Sequence, residues 1–214
     1  MTEYSPIVTG PLAENCYLLW REKSAWIIDP GADAEEIIAE LAARGLTPVS
    51  ILLTHGHFDH LGALDALLKR WPDLPVVLRH EELDWCFTHP MNQYPPFYFH
   101  QQRPATLITP GETYTCAGLE ARLIPTPGHT PGGQCILIEA DVPAPLCFTG
   151  DTLFAGSIGR TDLPGGSFAQ LNASLKRLAQ TLPTDVTLLP GHGPASTLAQ
   201  ELRTNPYLQG ETDF

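Results

Sequence analysis

The sequence predicts an α+β domain in which two β-sheets pack face to face with helices on the outside. Two observations lead there. Strand-like runs followed by helical patterns fill the first half of the chain, and the same succession returns in the second half. Two such blocks suit a pair of stacked sheets and not one doubly wound parallel sheet. A chain of 214 residues, 43% hydrophobic and 17% charged, is long enough to bury the core of one large domain. That composition also excludes collagen-like, coiled-coil and disordered chains.

Residues 7–9, 16–20 and 25–28 read as strands separated by turn residues, the third closed by Pro30-Gly31. Helical spacing follows over residues 32–44, with Ile37, Ile38 and Leu41 on one side and Gly45 as the stop. Residues 49–54 form a further strand, and 60–71 a helix with Leu61, Leu64, Leu67 and Leu68 on one side. After residues 75–78 the texture changes. Trp85, Phe87, Tyr94, Phe97, Tyr98 and Phe99 place six of the 18 aromatic residues within 15 positions. With one short helix from His80, this stretch reads as an aromatic loop inserted at about 85–105 in a single domain spanning 1–214. It is either an Ω-like loop packed on its own rings or a functional wall, serving as a lid or a subunit contact. The second half has strands at 119–124, 134–138 and 146–149, a helix at 168–180, a strand at 186–189 and a last helix at 195–204.

Twenty-four acidic residues against 12 basic ones give a net charge of −12. Such a chain repels polyphosphate, so neither a nucleic acid nor an anionic membrane is expected as partner. The start, Met1-Thr2-Glu3-Tyr4-Ser5-Pro6, is not basic and leads into no long apolar stretch, which argues against a signal peptide. No apolar segment approaches the roughly 20 residues of a spanning helix. Cys16, Cys86, Cys116, Cys135 and Cys147 are odd in number and scattered, with no C-x-x-C pair. They read as small buried hydrophobes in a reducing compartment. The expectation is a cytoplasmic protein acting as a monomer or homodimer.

The chemistry concentrates in Thr54-His55-Gly56-His57-Phe58-Asp59-His60, where three histidines and an aspartate fall within six residues between a strand and a helix. His55 and His57 alternate, so both side chains leave an extended segment on the same side. Asp59 and His60 open the helix, where the turning chain aims at a second centre. Imidazole is the commonest ligand of zinc-like ions, and carboxylate accompanies it in catalytic sites. Four ligands from one loop are too few for a dinuclear centre, and the chain supplies more. His129 lies in Pro127-Gly128-His129-Thr130-Pro131-Gly132, Asp151 in Thr149-Gly150-Asp151-Thr152, and His192 in Pro190-Gly191-His192-Gly193-Pro194. Each follows a strand and stands beside glycine, where the backbone approaches closely on a stiff scaffold. His80, His89 and His100 have no such setting and read as surface or loop residues.

The segment H-x-H-x-D-H, followed by P-G-H-T-P-G, G-D-T-L-F and P-G-H-G-P, resembles the metallo-β-lactamase superfamily over essentially the whole chain. Within it the chain is most similar to short glyoxalase II-like, that is hydroxyacylglutathione hydrolase-like, metallohydrolases. The resemblance implies an αββα four-layer sandwich with the metal centre at one edge between the sheets. It implies two divalent ions, zinc in first place, with iron or manganese as alternatives because imidazole and carboxylate suit all three. His55, His57 and His129 would bind one ion, and Asp59, His60 and His192 the other. Asp151 would bridge both together with a hydroxide. At the position of His60 one large class of true β-lactamases carries arginine, which favours the glyoxalase-like branch.

A hydroxide shared by two ions is a nucleophile at neutral pH, and a metal stabilises the oxyanion that its attack on a carbonyl creates. A thiolate leaving group needs no strong acid, since its thiol has a pKa near 8.5. The expected activity is therefore hydrolysis of a small-molecule thioester, such as the glutathione conjugate S-D-lactoylglutathione, with Asp59 and Asp151 as catalytic residues. Arg160 either pairs with a substrate carboxylate or is tied to Asp162 or a backbone carbonyl; Arg203 is another local donor. Phe58, Phe154 and the aromatic loop would wall the acyl pocket. No G-x-S-x-G, P-loop or G-x-G-x-x-G is present. The run Gly159-Arg160-Thr161-Asp162 also resembles persulfide dioxygenases of the same fold, which implies a single iron on His55, His129 and Asp151. A β-lactamase or lactonase activity is a further alternative.

Overall fold

A computed structural model describes residues 1–83, 107–109 and 111–210. The chain opens with an antiparallel meander of β1 (Thr2–Thr9), β2 (Glu14–Arg21) and β3 (Ser24–Ile28). After α1 (Ala34–Ala43), β4 (Thr47–Leu52) joins β3 in parallel. Helices α2 (Phe58–Leu61) and α3 (Leu64–Arg70) lead to β5 (Val76–Val77), with β6 (Leu107–Ile108) beside it. Among the described residues this first sheet runs in the order β1-β2-β3-β4-β5-β6. The second sheet comprises β7 (Thr113–Cys116), β8 (Leu119–Pro125), β9 (Gln134–Ile138), β10 (Leu146–Gly150), β13 (Thr187–Pro190) and β14 (Ser196–Thr197), in the order β14-β13-β10-β9-β8-β7. Between β10 and β13 come the hairpin β11 (Leu153–Phe154) and β12 (Ser157–Ile158) and then α4 (Phe168–Thr181). Helices α5 (Leu198–Thr204) and α6 (Pro206–Gln209) follow β14.

Strand β2 is buried from Glu14 to Trp20, which requires cover on both faces of its sheet. Alternation along the strand sends Cys16, Leu18 and Trp20 into one core cluster, and Tyr17 and Leu19 into another. The first cluster contains Ile37 and Leu41 of α1 and Leu64 and Leu67 of α3. The second contains Leu123, Ile136 and Phe148 of the facing sheet. On that sheet Cys135, Leu137 and Cys147 turn the other way and pack with Leu171, Leu175 and Leu178 of α4. Helices, sheet, sheet and helices thus stack in four layers, the αββα sandwich expected. Each fully buried Leu, Ile or Phe contributes about 1.5–3 kcal/mol, and Tyr17 meets Phe148 edge-on across the central layer with ring centroids 5.1 Å apart.

The differences from expectation have local causes. The first strand starts at Thr2, not residue 7, because Pro6 interrupts the sequence signal yet is tolerated on an edge strand. The helix expected over 60–71 is broken into α2 and α3. At the break the Ala63 N–H donates to Pro30 O at 3.0 Å and so leaves the helical ladder. The last helix starts at Leu198, not 195, since Thr197 caps it by accepting from the Gln200 N–H while Ser196 and Thr197 pair with β13. The strands β7, β11 and β12 span only four, two and two residues, too short for a periodic signal to be read beforehand. The aromatic loop at 85–105 lies outside the described residues, as do Cys86, His89 and His100. Cys16, Cys135 and Cys147 are buried, Cys116 is half-buried, and all four are free thiols. Among the described residues no helix is long and apolar enough to cross a membrane.

Candidate metal centre

Strands β8 and β10 both run antiparallel to β9, and β13 runs parallel to β10. Their carboxyl ends therefore open on one edge of the second sheet, delivering His129, Asp151 and His192 there. The loop after β4 brings His55, His57, Asp59 and His60 to the same edge from the first sheet. The two sheets are stitched at this point, with Gln134 N–H donating to Thr54 O at 2.9 Å and Asn15 N–H to Gly191 O at 2.7 Å. Two glycines make the approach possible. At Gly150, where φ is +46°, a Cβ would lie 2.3 Å from Thr54 Oγ1; at Gly191 it would lie 2.4 Å from His60 Cε1 and 2.6 Å from Asp151 Oδ1.

His55, His57 and His129 form one group, all buried, with ligand atoms within 4.8 Å of one another. The hydrogen-bond chemistry fixes their tautomers. His129 Nδ1–H donates to Arg160 O at 2.8 Å, leaving a lone pair on Nε2. Thr54 Oγ1 gives its own proton to Asp29 Oδ2 at 2.6 Å, so it accepts from His55 Nδ1–H at 3.1 Å and leaves His55 Nε2 as a lone pair as well. Both lone pairs face His57 Nδ1, at 3.2 Å from His55 Nε2 and 2.8 Å from His129 Nε2. One nitrogen carries at most one proton and cannot satisfy two acceptors. A cation resolves the conflict, and nitrogens bound tetrahedrally at about 2.0–2.1 Å lie about 3.3 Å apart. Burial pushes His55 well below its ordinary pKa, pushes His57 down to about 3 and lowers His129 too, which keeps the rings neutral and able to ligate.

Asp59, His60 and His192 form a second group within 4.8 Å. His192 Nε2 lies 3.3 Å from Asp59 Oδ2, and its Nδ1–H donates to Leu12 O at 3.2 Å. His60 Nδ1–H donates to Asp29 Oδ2 at 3.0 Å and turns Nε2 toward Asp151 Oδ1 at 3.3 Å. Asp151 stands between the groups, with Oδ2 3.5 Å from His129 Nε2 and Oδ1 3.8 Å from His192 Nε2. Charge pairing dominates here. Burial would lower His60, but Asp151 and Asp29 hold it well above its ordinary value, and the surrounding histidines hold Asp151 below the carboxylate range despite burial. All seven residues singled out from the sequence are thus brought together at one sheet edge. Their donor set fits two divalent cations.

The profile of the metallo-β-lactamase superfamily matches residues 9–192. The chain belongs to the metallo-β-lactamase superfamily. It is 37% identical over 204 residues to the probable metallo-hydrolase YqgX of Bacillus subtilis, covering 94% of this chain and 95% of that protein. Identity to the hydroxyacylglutathione hydrolase GloC of Haemophilus influenzae is 34% over 212 residues, covering 93% and 94%. Among solved structures, the BLEG-1 B3 metallo-β-lactamase is similar with a TM-score of 0.88 and 36% identity over 97% of this chain and 100% of that one. TTHA1623 in a di-iron-bound form gives 0.84 and 38% over 95% and 100%; ETHE1 from Myxococcus xanthus gives 0.77 and 27% over 97% and 85%. The protein is a metallo-hydrolase of this superfamily, whose members bind divalent metals.

Three acids of this metallo-hydrolase escaped the sequence reading. Asp29, at φ +48°, anchors Thr54 through its N–H at 2.7 Å as well as its hydroxyl, and anchors His60. Glu14 lies 3.8 Å from His60 Nδ1, accepts from Thr9 Oγ1 at 2.8 Å, and is pushed up to about 9 by burial. Glu82 accepts from the Gly56 and Gly132 N–H groups, and burial raises its carboxyl against those bonds and a Thr130 contact. The available signal was an acid within an apolar stretch, as in Ile27-Ile28-Asp29. Of the residues expected to meet substrate, Phe58 is half-buried and lines, with Asp59, Pro11 and Leu12, a small cavity of about 50 Å³. The Phe154 ring lies 6.3 Å from that of His192. The exposed guanidinium of Arg160 is paired with Asp162 through Nε at 2.7 Å and Nη2 at 2.8 Å. Arg203 and His80 are exposed.

Proposed function

We propose that this metallo-hydrolase cleaves small acyl thioesters of the S-D-lactoylglutathione type. The observation that carries the reading is Asp151, whose two oxygens face two separate groups of histidines, Oδ2 toward His129 and Oδ1 toward His60. His55, His57 and His129 would hold one divalent ion, Asp59, His60 and His192 a second, and Asp151 would serve both. Zinc fits these donors, as do iron and manganese. Two ions held by these residues would supply a nucleophile at neutral pH and Lewis-acid polarisation of a carbonyl.

The chain's own residues do the rest. The anchors on His55, His60, His129 and His192 keep each lone pair aimed inward through the reaction. Burial would raise the Asp59 carboxyl, but His192 and His60 hold it below its ordinary value, so at the half-open rim it stays an anionic donor for the second ion. Phe58 and Phe154 flank that rim and exclude bulk water from the acyl group. Arg160 would exchange Asp162 for a substrate carboxylate. No residue needs to protonate the leaving group, because a thiolate departs unaided near neutrality. The similarity to GloC over nearly the full length of both chains supports a hydroxyacylglutathione substrate.

Anaerobic turnover of S-D-lactoylglutathione by metal-loaded protein tests the reading. Thioester loss without oxygen, absent in His57→Ala, is the expected result. The similarity to BLEG-1 favours a β-lactam as second substrate class. A protein loaded with two ions that opens a β-lactam but leaves the thioester intact overturns the thioesterase in its favour. Oxygen uptake with glutathione persulfide by the iron-loaded protein, without thioester turnover, would replace both by the dioxygenase.

A further inference from the structure

Glu82 is a fully buried carboxylate, 0% exposed, at the end of the short 3₁₀ turn His80–Glu82. Acids are almost never fully buried unless paired, and among the described residues no cation pairs with Glu82. Its neighbour Glu81 shows the ordinary case, exposed and bound to Arg79 at 2.7 Å. Glu82 is held by main chain instead. The Gly56 N–H donates to Oε2 at 2.9 Å and the Gly132 N–H to Oε1 at 2.6 Å.

These two donors come from different sheets. Gly56 lies between His55 and His57 in the loop after β4, and Gly132 lies three residues past His129 in the loop joining β8 to β9. The two loops supply every nitrogen of the first histidine group. We infer that Glu82 is a positioning residue of that group, its carboxylate setting the separation of the His55–His57 and His129 loops and so the metal affinity there. This rests on the metal-binding part of the proposed function and is independent of the substrate.

The chemistry explains why the residue is glutamate. Two N–H donors approaching from opposite sides require an acceptor oxygen on each side. Glutamine has the same shape but turns an NH₂ toward one of them, leaving a buried donor unpaired. The glycines complete the fit, since a Cβ on Gly132 would lie 2.9 Å from Glu82 Cγ and 2.8 Å from Glu81 Cβ. None of these contacts touches Asp59, His60 or His192. A second buried acid provides the contrast. Glu201 accepts from the Gly156 N–H at 2.8 Å and from Asn205 Nδ2 at 2.9 Å, and so fixes the β11–β12 hairpin without reaching either loop.

The test is metal titration of the full-length, metal-stripped protein with Zn²⁺ against a chromophoric chelator, repeated with Co²⁺ to read the ligand-field bands. His129→Ala and His192→Ala mark which binding step belongs to which group. Glu82→Gln is expected to weaken by about 10–100-fold the step that His129→Ala abolishes, and to leave the other step unchanged. Glu201→Gln is expected to leave both steps unchanged. A folded Glu82→Gln protein with both steps intact, or with both weakened equally, overturns the inference. Should Glu82→Gln not fold, Gly132→Ala presses on the same clamp from the opposite side and must show the same selective weakening; an unaltered first step there also overturns it. A wild-type chain that binds no ion overturns the metal-centre reading itself, which separates the two failures.

Discussion

The two halves of the candidate centre are built differently although they share one edge and one aspartate. His55, His57 and His129 are 2–5% exposed, and the fixed rings among them lean on neutral oxygens, Thr54 Oγ1 for His55 and Arg160 O for His129. In the other half, His192 is 27% and Asp59 15% exposed, and His60 leans on the carboxylate of Asp29. Burial lowers every histidine of the closed half, whereas carboxylates raise His60 and His192 in the open half. The closed half therefore works as a rigid, uncharged socket between two sheets. The open half gathers charge at a half-exposed rim.

The largest effect should follow from removing what the halves share. Asp151→Ala is expected to strip both ions and reduce turnover to background, with the far-ultraviolet dichroism of a folded chain retained. A variant that keeps two ions per chain would break the assignment of Asp151 to both halves. Next come the single-half variants. His57→Ala should lose one ion and turnover together, because the closed socket has no solvent ligand to replace a buried ring. His192→Ala should keep the closed-half ion and some activity, since water reaches the half-open position. Equal ion loss in the two variants, measured by metal analysis after gel filtration, would show the halves to be one cooperative unit.

Asp29 sharpens the comparison further, because it anchors both halves at once. Its Oδ2 accepts from Thr54 Oγ1, which in turn holds His55, and also from His60 Nδ1. Asp29→Ala should weaken both binding steps, each by about 10–100-fold, unlike any change at Glu82. Weakening confined to one step would mean that one of the two anchors is dispensable.

How much of this was legible beforehand depended on whether the signal was local. His55, His57, Asp59 and His60 sit in one short run, and His129, Asp151 and His192 each follow a strand beside glycine, so their pattern survives without coordinates. The four layers were legible because strand runs followed by helical patterns fill the first half of the chain and return in the second, which suits two stacked sheets with helices outside. Asp29, Glu14 and Glu82 were not. Glu14 and Asp29 are isolated acids and Glu82 is one of an adjacent pair, and each is held by a contact with a residue between 5 and 50 positions away. Glu81 and Glu82 are adjacent and chemically identical, yet one faces Arg79 and water while the other joins two loops. Only tertiary closure separates them.

The smallest expected effect belongs to Arg160, which touches both halves of the question with different atoms. Its carbonyl anchors His129 Nδ1, and its guanidinium, 61% exposed, forks onto Asp162. Arg160→Ala keeps the carbonyl, so metal content and the closed half should be unchanged. Exposed ion pairs contribute little to stability because water and salt screen them, and the melting temperature should scarcely move. A substrate carboxylate that replaces Asp162 loses its partner in the variant. KM for a carboxylate-bearing thioester should therefore rise about two- to fivefold with kcat retained, while a thioester without a carboxylate should show no change. Equal KM shifts for both thioesters would mean that the side chain shapes the rim without recognising charge, and metal loss would mean that the Arg160–Asp162 fork also holds the main chain under His129.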